Sequence, residues 1–143
     1  MKIATLLFAL LAFLTAAEKR SFQVNAANVK WEPMNPPGVP KGLTQKLLHD
    51  NKQNQLQSSI VRFPKGYREP RHYHKTCGHS MYILKGKIQS PDGDLTAGTF
   101  SYAAVNERHG PFVALEETEF LFYTDGPFDF IRGRQKVKVL LPT

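Results

Sequence analysis

Gly66-Tyr67-Arg68-Glu69-Pro70-Arg71-His72-Tyr73-His74-Lys75-Thr76-Cys77-Gly78-His79-Ser80-Met81-Tyr82-Ile83-Leu84-Lys85-Gly86 is the stretch on which the fold turns. Three of the chain's five histidines fall inside it. His72 and His74 stand two apart, a spacing that on a β-strand puts both imidazoles on one face of the sheet. Neutral imidazoles sharing a face are a ready pair of ligands for zinc, iron, nickel, copper or manganese. Gly78 marks a bend, and His79 opens an apolar run that reads as the next strand. A turn between the two strands returns His79 to the first pair, and His109 downstream adds a fourth candidate. His79 has two readings, a ligand or a hydrogen-bond partner of a ligand. Cys77 also has two, a soft thiolate ligand or, as we take it, a small buried filler.

Outward from this stretch, short runs recur between turn signals. Gln57 to Phe63 alternates in part, and Pro64-Lys65-Gly66 breaks it. Arg71 to His74 is expected as a strand carrying the histidine pair. Ser80 to Leu84 is the next, closed by Lys85-Gly86 as a tight hairpin. Ser90-Pro91-Asp92-Gly93-Asp94 is a strong turn. Thr99 to Val105 and Phe112 to Leu115 are further strands. Glu119 to Thr124 places Phe120 and Phe122 on one face and Leu121 and Tyr123 on the other, the pattern of a strand buried on both sides. Such spacing predicts a single all-β domain, a sandwich or barrel, with no long helix. Upstream, Asn35-Pro36-Pro37-Gly38-Val39-Pro40 excludes helix and central strand, so Ser21 to Pro40 is expected to lie extended on the outside with Trp31 as a packing anchor. Leu43 to Leu48 is a short apolar patch, and Asp50 to Gln55 reads as a loop. His49 falls outside the histidine stretch and is read as a surface residue.

The first residues differ from the rest. Lys2, the apolar run Ile3 to Leu14 and the small residues Thr15-Ala16-Ala17 form the pattern of a secretory signal peptide over residues 1–17. The run is short for a membrane span, so no stable membrane insertion is expected after cleavage. The expected organisation is therefore a leader (1–17), an arm leading in (18–55) and the β-domain (56–143), with the protein exported to the periplasm or secreted. Cys77 is the single cysteine, so the exported chain has no internal disulfide to lean on.

The formal net charge is +7. Arg62, Lys65, Arg68, Arg71 and Lys75 surround the histidine stretch, and Arg132, Arg134, Lys136 and Lys138 form a second basic run. These charges have two readings, a solvated basic face, as we take it, or a cleft mouth that attracts an anionic small-molecule ligand or substrate. No recognition helix, zinc-finger spacing or stacking motif accompanies the charge, so a nucleic-acid partner is not expected.

The histidine stretch resembles the first motif of the cupins: glycine, five residues, His-x-His, three or four residues, glutamate, six residues, glycine. Gly66, His72, His74 and Gly86 match, and His79 stands where cupins usually carry glutamate. Gly93 to Thr99 followed by Asn106-Glu107-Arg108-His109-Gly110-Pro111 resembles the second motif, with Thr96-Ala97-Gly98 in place of Pro-x-Gly and no asparagine soon after His109. Trp31-Glu32-Pro33, Pro40-Lys41-Gly42, Phe63 to Tyr67 and Asp125-Gly126-Pro127-Phe128-Asp129 are similar to the cupins grouped with the metal-binding domain of the anti-sigma factor ChrR. The resemblance implies a jelly-roll β-barrel. It also implies one divalent transition-metal ion (Fe, Zn, Ni, Mn or Cu) held by His72, His74, His79 and His109. Cupins often pair through their sheets, which would make a homodimer. Cupins similar at this motif include dioxygenases that cleave diketones, flavonols or hydroxyacetophenones, while the ChrR likeness points to a non-catalytic metal- or small-molecule-binding sensor. A purely structural domain without metal is the third reading. Tyr82, Phe100, Tyr102, Phe120 and Phe122 are candidates to line the pocket, and Glu107 and Arg108 to touch a substrate.

Overall fold

Thr118–Thr124 alternates buried and outward residues along its length. Thr118, Phe120, Phe122 and Thr124 point inward, and Glu119, Leu121 and Tyr123 point away. The computed structural model describes residues 21–133; the expected leader at 1–17 and the basic residues Arg134, Lys136 and Lys138 lie outside them. The strands are β1 (Glu32–Met34), β2 (Leu43–Asn51), β3 (Leu56–Phe63), β4 (Arg68–Glu69), β5 (His79–Lys85), β6 (Lys87–Ser90), β7 (Gly93–Thr96), β8 (Phe100–Ala103), β9 (Phe112–Ala114) and β10 (Thr118–Thr124). A three-residue turn of 3-10 helix, Ala26–Asn28, precedes them, capped by the Asn25 side chain. All pairings are antiparallel.

The strands form two sheets, one of six in the order β1-β2-β3-β10-β5-β8 and one of four in the order β4-β9-β6-β7. The expected closed barrel is not formed. No ladder joins the two sheets, which face each other as a sandwich. Isolated bridges, His72 with His109 and Tyr73 with Ile131, lie outside the two sheets. The arm contributes β1 and β2 to one end of the larger sheet, so Leu43 to Asn51 is a long strand.

Between the sheets lies an apolar core that includes Leu43, Val61, Phe63, Tyr67, Met81, Ile83, Ile88, Phe120 and Phe122. Phe63 packs edge-on to Phe120 at 5.0 Å between ring centres and tilts against Tyr67 at 4.5 Å. Burying an aromatic side chain of this size contributes roughly 1.5–3 kcal/mol. Among the described residues the outer face of the larger sheet has no second layer. Leu121 and Tyr123 are 40% and 41% exposed, and Tyr82 and Phe100 are exposed beside them. β10 is thus buried on one side, not both, and Tyr82 and Phe100 do not line the interior. Lys85-Gly86 is not a hairpin either. Gly86 carries the chain from β5 in one sheet to β6 in the other. The turn after Ser90 does close a hairpin, with Ser90 opposite Gly93.

Arg62 belongs to this outer face and not to the surroundings of the histidines. Its guanidinium lies 3.7 Å from the Trp31 ring centre, and it donates to Glu119 Oε1 at 2.7 and 3.0 Å. Trp31 therefore anchors the arm through a cation. Arg62→Ala is expected to cost about 1–2 kcal/mol in urea unfolding. Fluorescence of Trp31, the chain's single tryptophan, should shift to the red as the ring loses its cover.

Candidate metal centre

His72 and Tyr73 lie in isolated bridges and not in a strand of a sheet. His72 N donates to His109 O at 3.1 Å, and His109 N returns the bond to His72 O at 2.9 Å. The backbone stays extended there, so His72 and His74 still project to the same side. His79 opens β5, whose inward positions are His79, Met81 and Ile83. The structure brings together all four histidines singled out on sequence. Each of His72, His74, His79 and His109 offers a ring nitrogen, and these nitrogens lie within 4.8 Å of one another. His72, His74 and His79 are buried, His109 partly so.

Backbone carbonyls orient three of the rings. His72 Nδ1–H donates to Pro70 O at 2.8 Å, His109 Nδ1–H donates to Glu107 O at 3.0 Å, and His74 Nδ1–H donates to Asp129 O. Those bonds place the proton on Nδ1 and leave Nε2 with its lone pair, the arrangement a metal-binding imidazole needs. His74 Nε2 is buried without a hydrogen-bond partner. His79 Nε2 faces His109 Nε2 at 3.1 Å, and His79 Nδ1 is buried and unpartnered. A buried acceptor with no donor costs free energy unless something else satisfies it. Four neutral nitrogens around an orphaned lone pair fit a transition-metal cation.

Phenylalanines hold the rings in place. His72 stacks on Phe130 at 4.0 Å, His74 tilts against Phe128 and His79 against Phe122, both at 5.0 Å. Phe128 and Phe130 belong to the closing segment, which also grips the histidine loop. The Asp129 carboxylate accepts from Lys75 N, Thr76 N and Thr76 Oγ1, and Asp125 Oδ1 accepts from Gly78 N at 2.6 Å. Cys77 is buried and burial pushes its thiol up to about 11, which keeps it a neutral filler. His74, Cys77 and Asp129 also come within 4.8 Å, but that carboxylate is committed to the loop.

The cluster separates two spaces. On the inner side, between the sheets, an apolar cavity leaves about 30 Å3 for the centres of water-sized groups; Phe120, Phe122, Phe128 and Glu69 help to line it. On the outer side a groove of about 530 Å3 is lined by Arg71, Tyr102, Glu107 and Arg108. His79 and Phe112 border both. Of the basic residues around the histidine stretch, Arg71 alone lines this groove.

Burial is the first cause that lowers the pKa of every ring in the cluster. His72 falls to about 3, helped by the neighbouring His109, and His79 falls well below 6.5 with His74 and His109 beside it. His74 and His109 also fall, each partly restored by its carbonyl. The rings are therefore neutral at pH 7. As the pH of the metal-free protein drops, the unfolded chain protonates near 6.5 before the folded one does. The stability from these rings is full above about pH 6.5 and is lost as the pH falls below it, for His72 down to about pH 3. Glu69, whose carboxyl is raised to about 8 by burial, runs the other way between about pH 8 and 4.5, one group against four. The melting temperature of the metal-free protein should fall from pH 7 to 5; a rise would contradict rings buried neutral.

The sequence matches the ChrR cupin-like domain over residues 19–129. The chain belongs to that cupin family. Among curated proteins, this cupin is 35% identical over 78 residues to the DNA damage-repair/toleration protein of Arabidopsis thaliana, a match covering 50% of this chain and 24% of that one. Among solved structures it is similar to a proposed acetylacetone dioxygenase of Methylibium petroleiphilum. That pair has a TM-score of 0.68 and 24% identity, covering 81% of this chain and 84% of the other. The acetylacetone dioxygenase of Acinetobacter johnsonii gives a TM-score of 0.62 at 21% identity, covering 80% and 78%. ChrR of Rhodobacter sphaeroides, solved in complex with SigE, gives 0.54 at 20%, covering 71% and 52%. At these identities the likeness is one of fold.

Sequence reasoning missed Glu69 and Asp129 as parts of this cupin's site. Glu69 sits inside the first motif, but nothing in the pattern of β4 marks its carboxyl as enclosed.

Proposed function

We propose that this cupin is an exported protein holding one divalent transition-metal ion on His72, His74, His79 and His109, and that it is a dioxygenase acting on a small enolisable carbonyl compound. The observation that carries the proposal is the cluster itself, four neutral imidazoles within 4.8 Å, three buried and His109 partly so, with His74 Nε2 unpartnered among the described residues. With no carboxylate among the donors, a bound ion would keep its full positive charge and act as a Lewis acid toward a substrate oxygen. The chain's residues do the rest. The carbonyls of Pro70, Glu107 and Asp129 fix the tautomers, and Phe122, Phe128 and Phe130 hold the ring planes. The phenylalanines on the inner wall exclude water from the side where an apolar substrate body would lie.

The acetylacetone dioxygenases of similar fold suggest the first substrate to try. Purified protein should contain about one metal ion per chain by elemental analysis. Loaded with iron, it should consume oxygen in the presence of acetylacetone or another β-dicarbonyl. The second reading is a sensor or binding module without turnover, favoured by the family match to the ChrR domain. It predicts stoichiometric metal and ligand-induced thermal stabilisation. Oxygen uptake absent with iron, nickel, copper and manganese across a panel of dicarbonyls would leave that reading in place of the enzyme.

A further inference from the structure

A sheet edge presents unpaired N–H and C=O groups, and chains guard such edges with proline, charge or shortness. Four strands end the two sheets, β1 and β8 in the larger, β4 and β7 in the smaller. β1 carries Pro33. β4 is only Arg68 and Glu69, both ionisable. β7 carries Asp94, paired with Lys87 Nζ at 2.8 Å, and its Thr96 N donates to Thr99 Oγ1. β8, Phe100-Ser101-Tyr102-Ala103, has none of these guards. It pairs with β5 alone, Ser101 opposite Met81 and Ala103 opposite His79. Ile83 N donates to Thr99 O. By alternation along an antiparallel ladder, Ser101 and Ala103 then aim their backbone groups at β5, while Phe100 and Tyr102 aim theirs outward. Their side chains are 63% and 56% exposed, on the same outer face as Tyr82.

We propose that β8 is a seam at which two copies of this chain pair, antiparallel about a twofold axis at Ser101. Phe100 of one copy then lies opposite Tyr102 of the other on both sides of the axis, and the outward backbone groups exchange about four hydrogen bonds. A second copy fits because the strand complements itself: aromatic meets aromatic at both positions, and β8 brings no charge to repel its twin. Leu121, Tyr82 and Phe100 stand side by side across β10, β5 and β8, as do Tyr123, Ser80 and Tyr102. Pairing carries both rows on into the second copy. At 150–250 Å2 for an aromatic side chain, the exposed parts of Phe100 and Tyr102 offer roughly 200–300 Å2 per copy. A stable complex buries roughly 800 Å2 on each side, so this dimer is reversible, with dissociation on the order of tens of micromolar. The groove outside the histidines lies between the free edges, with Ser101 and Tyr102 of β8 on one wall and Asp94 and Leu95 of β7 on the other. A strand added to β8 lengthens the larger sheet past that groove, so the second copy supplies a wall that one copy lacks. None of this depends on a metal at the histidines.

Sedimentation equilibrium of the purified protein from roughly 1 µM to roughly 500 µM tests the seam, with amide hydrogen exchange read at both ends of the range. The wild-type mass should double across it. The Phe100 and Tyr102 amides should exchange about tenfold or more slowly in the concentrated sample, while those of Ser101 and Ala103, which face β5, should not change. Tyr102→Pro removes one outward N–H and leaves the bonds to β5 in place. The double variant Phe100→Lys with Tyr102→Lys sets like charges opposite each other across the axis. Each should weaken the dimer about tenfold or more. Tyr82→Lys is the control: Tyr82 is 44% exposed on the same face but one strand in, and this variant should dimerise within about threefold of wild type. Melting temperatures check that each variant folds, and the lysine pair carries the test if the proline variant does not. A wild-type protein that stays monomeric throughout overturns the proposal and leaves the edge to a different occupant. A dimer weakened as much by Tyr82→Lys as by the lysine pair overturns it by moving the contact to the face of the sheet. Unchanged exchange at Phe100 and Tyr102 overturns it as well.

Discussion

His74→Ala is expected to reduce metal content from about one ion per chain to close to none, and to abolish the rise in melting temperature that added metal gives the wild-type protein. His74 is the strongest test among the four because it is 1% exposed, its Nε2 has no partner among the described residues, and its Nδ1 is anchored to Asp129 O. Its loss removes a donor and also the brace between the histidine loop and the closing segment. The apo-protein will therefore be less stable, by roughly 2–4 kcal/mol for the cavity and the orphaned carbonyl together. The diagnostic quantity is the difference between melting temperatures with and without metal, which cancels that structural loss. A variant that keeps stoichiometric metal would place the ion elsewhere.

Gly86→Ala should be nearly as damaging for a reason that involves no metal. Gly86 has φ of +88°, and a Cβ there would fall 2.3 Å from Glu117 O and 2.5 Å from Thr118 Oγ1. Neither neighbour can yield easily. Glu117 O belongs to the backbone, and Thr118 Oγ1 accepts from Lys87 N at 2.9 Å while donating to Glu116 O at 3.0 Å. We expect a loss of about 3 kcal/mol or more, from the left-handed conformation and the clash together, read as a lowered urea midpoint. That is a large share of the roughly 5–15 kcal/mol that holds a domain folded. Gly66→Ala is the control. Gly66 has a similar φ of +84°, but a Cβ there meets nothing within 4 Å, so the cost should stay near 1–2 kcal/mol. Equal losses at the two positions would show that conformation alone, and not the crossing between sheets, sets the need for glycine.

The meeting of the four histidines was legible in the sequence, as was the all-β class, while the way the strands divide between two sheets was not. His72 and His74 stand out by their two-residue spacing, which survives any error in the strand assignment, while His79 and His109 were added by the turn after Gly78 and by the resemblance to the cupin motifs; the structure brings the four together. The repeat worked even though His72 and Tyr73 sit in bridges and not in a sheet ladder. Gly86 announced a positive φ but not the direction in which the chain would leave, and so a crossing between sheets passed for a hairpin. In β10 both alternating sets are apolar. Sequence cannot say that one layer covers Phe120 and Phe122 while no other described residue covers Leu121 and Tyr123. Arg62 looked like part of a basic cluster because its neighbours in sequence are basic; its neighbours in space are Trp31 and Glu119. Glu69 and Asp129 were invisible as site residues for the same reason. Enclosure belongs to the assembled sandwich, and charged residue types are common on surfaces.

The reciprocal backbone bonds between His72 and His109 reach further than the rings they carry. They tie together points 37 residues apart, in a protein whose lone thiol can form no internal cross-link. A cation gripping both side chains would clamp the same two points a second time, closing a long loop whose freedom the unfolded chain regains only by releasing the ion. Chelation would then act on this domain much as reduction acts on a disulfide-bonded one, loosening the junction between its halves before the aromatic interior gives way.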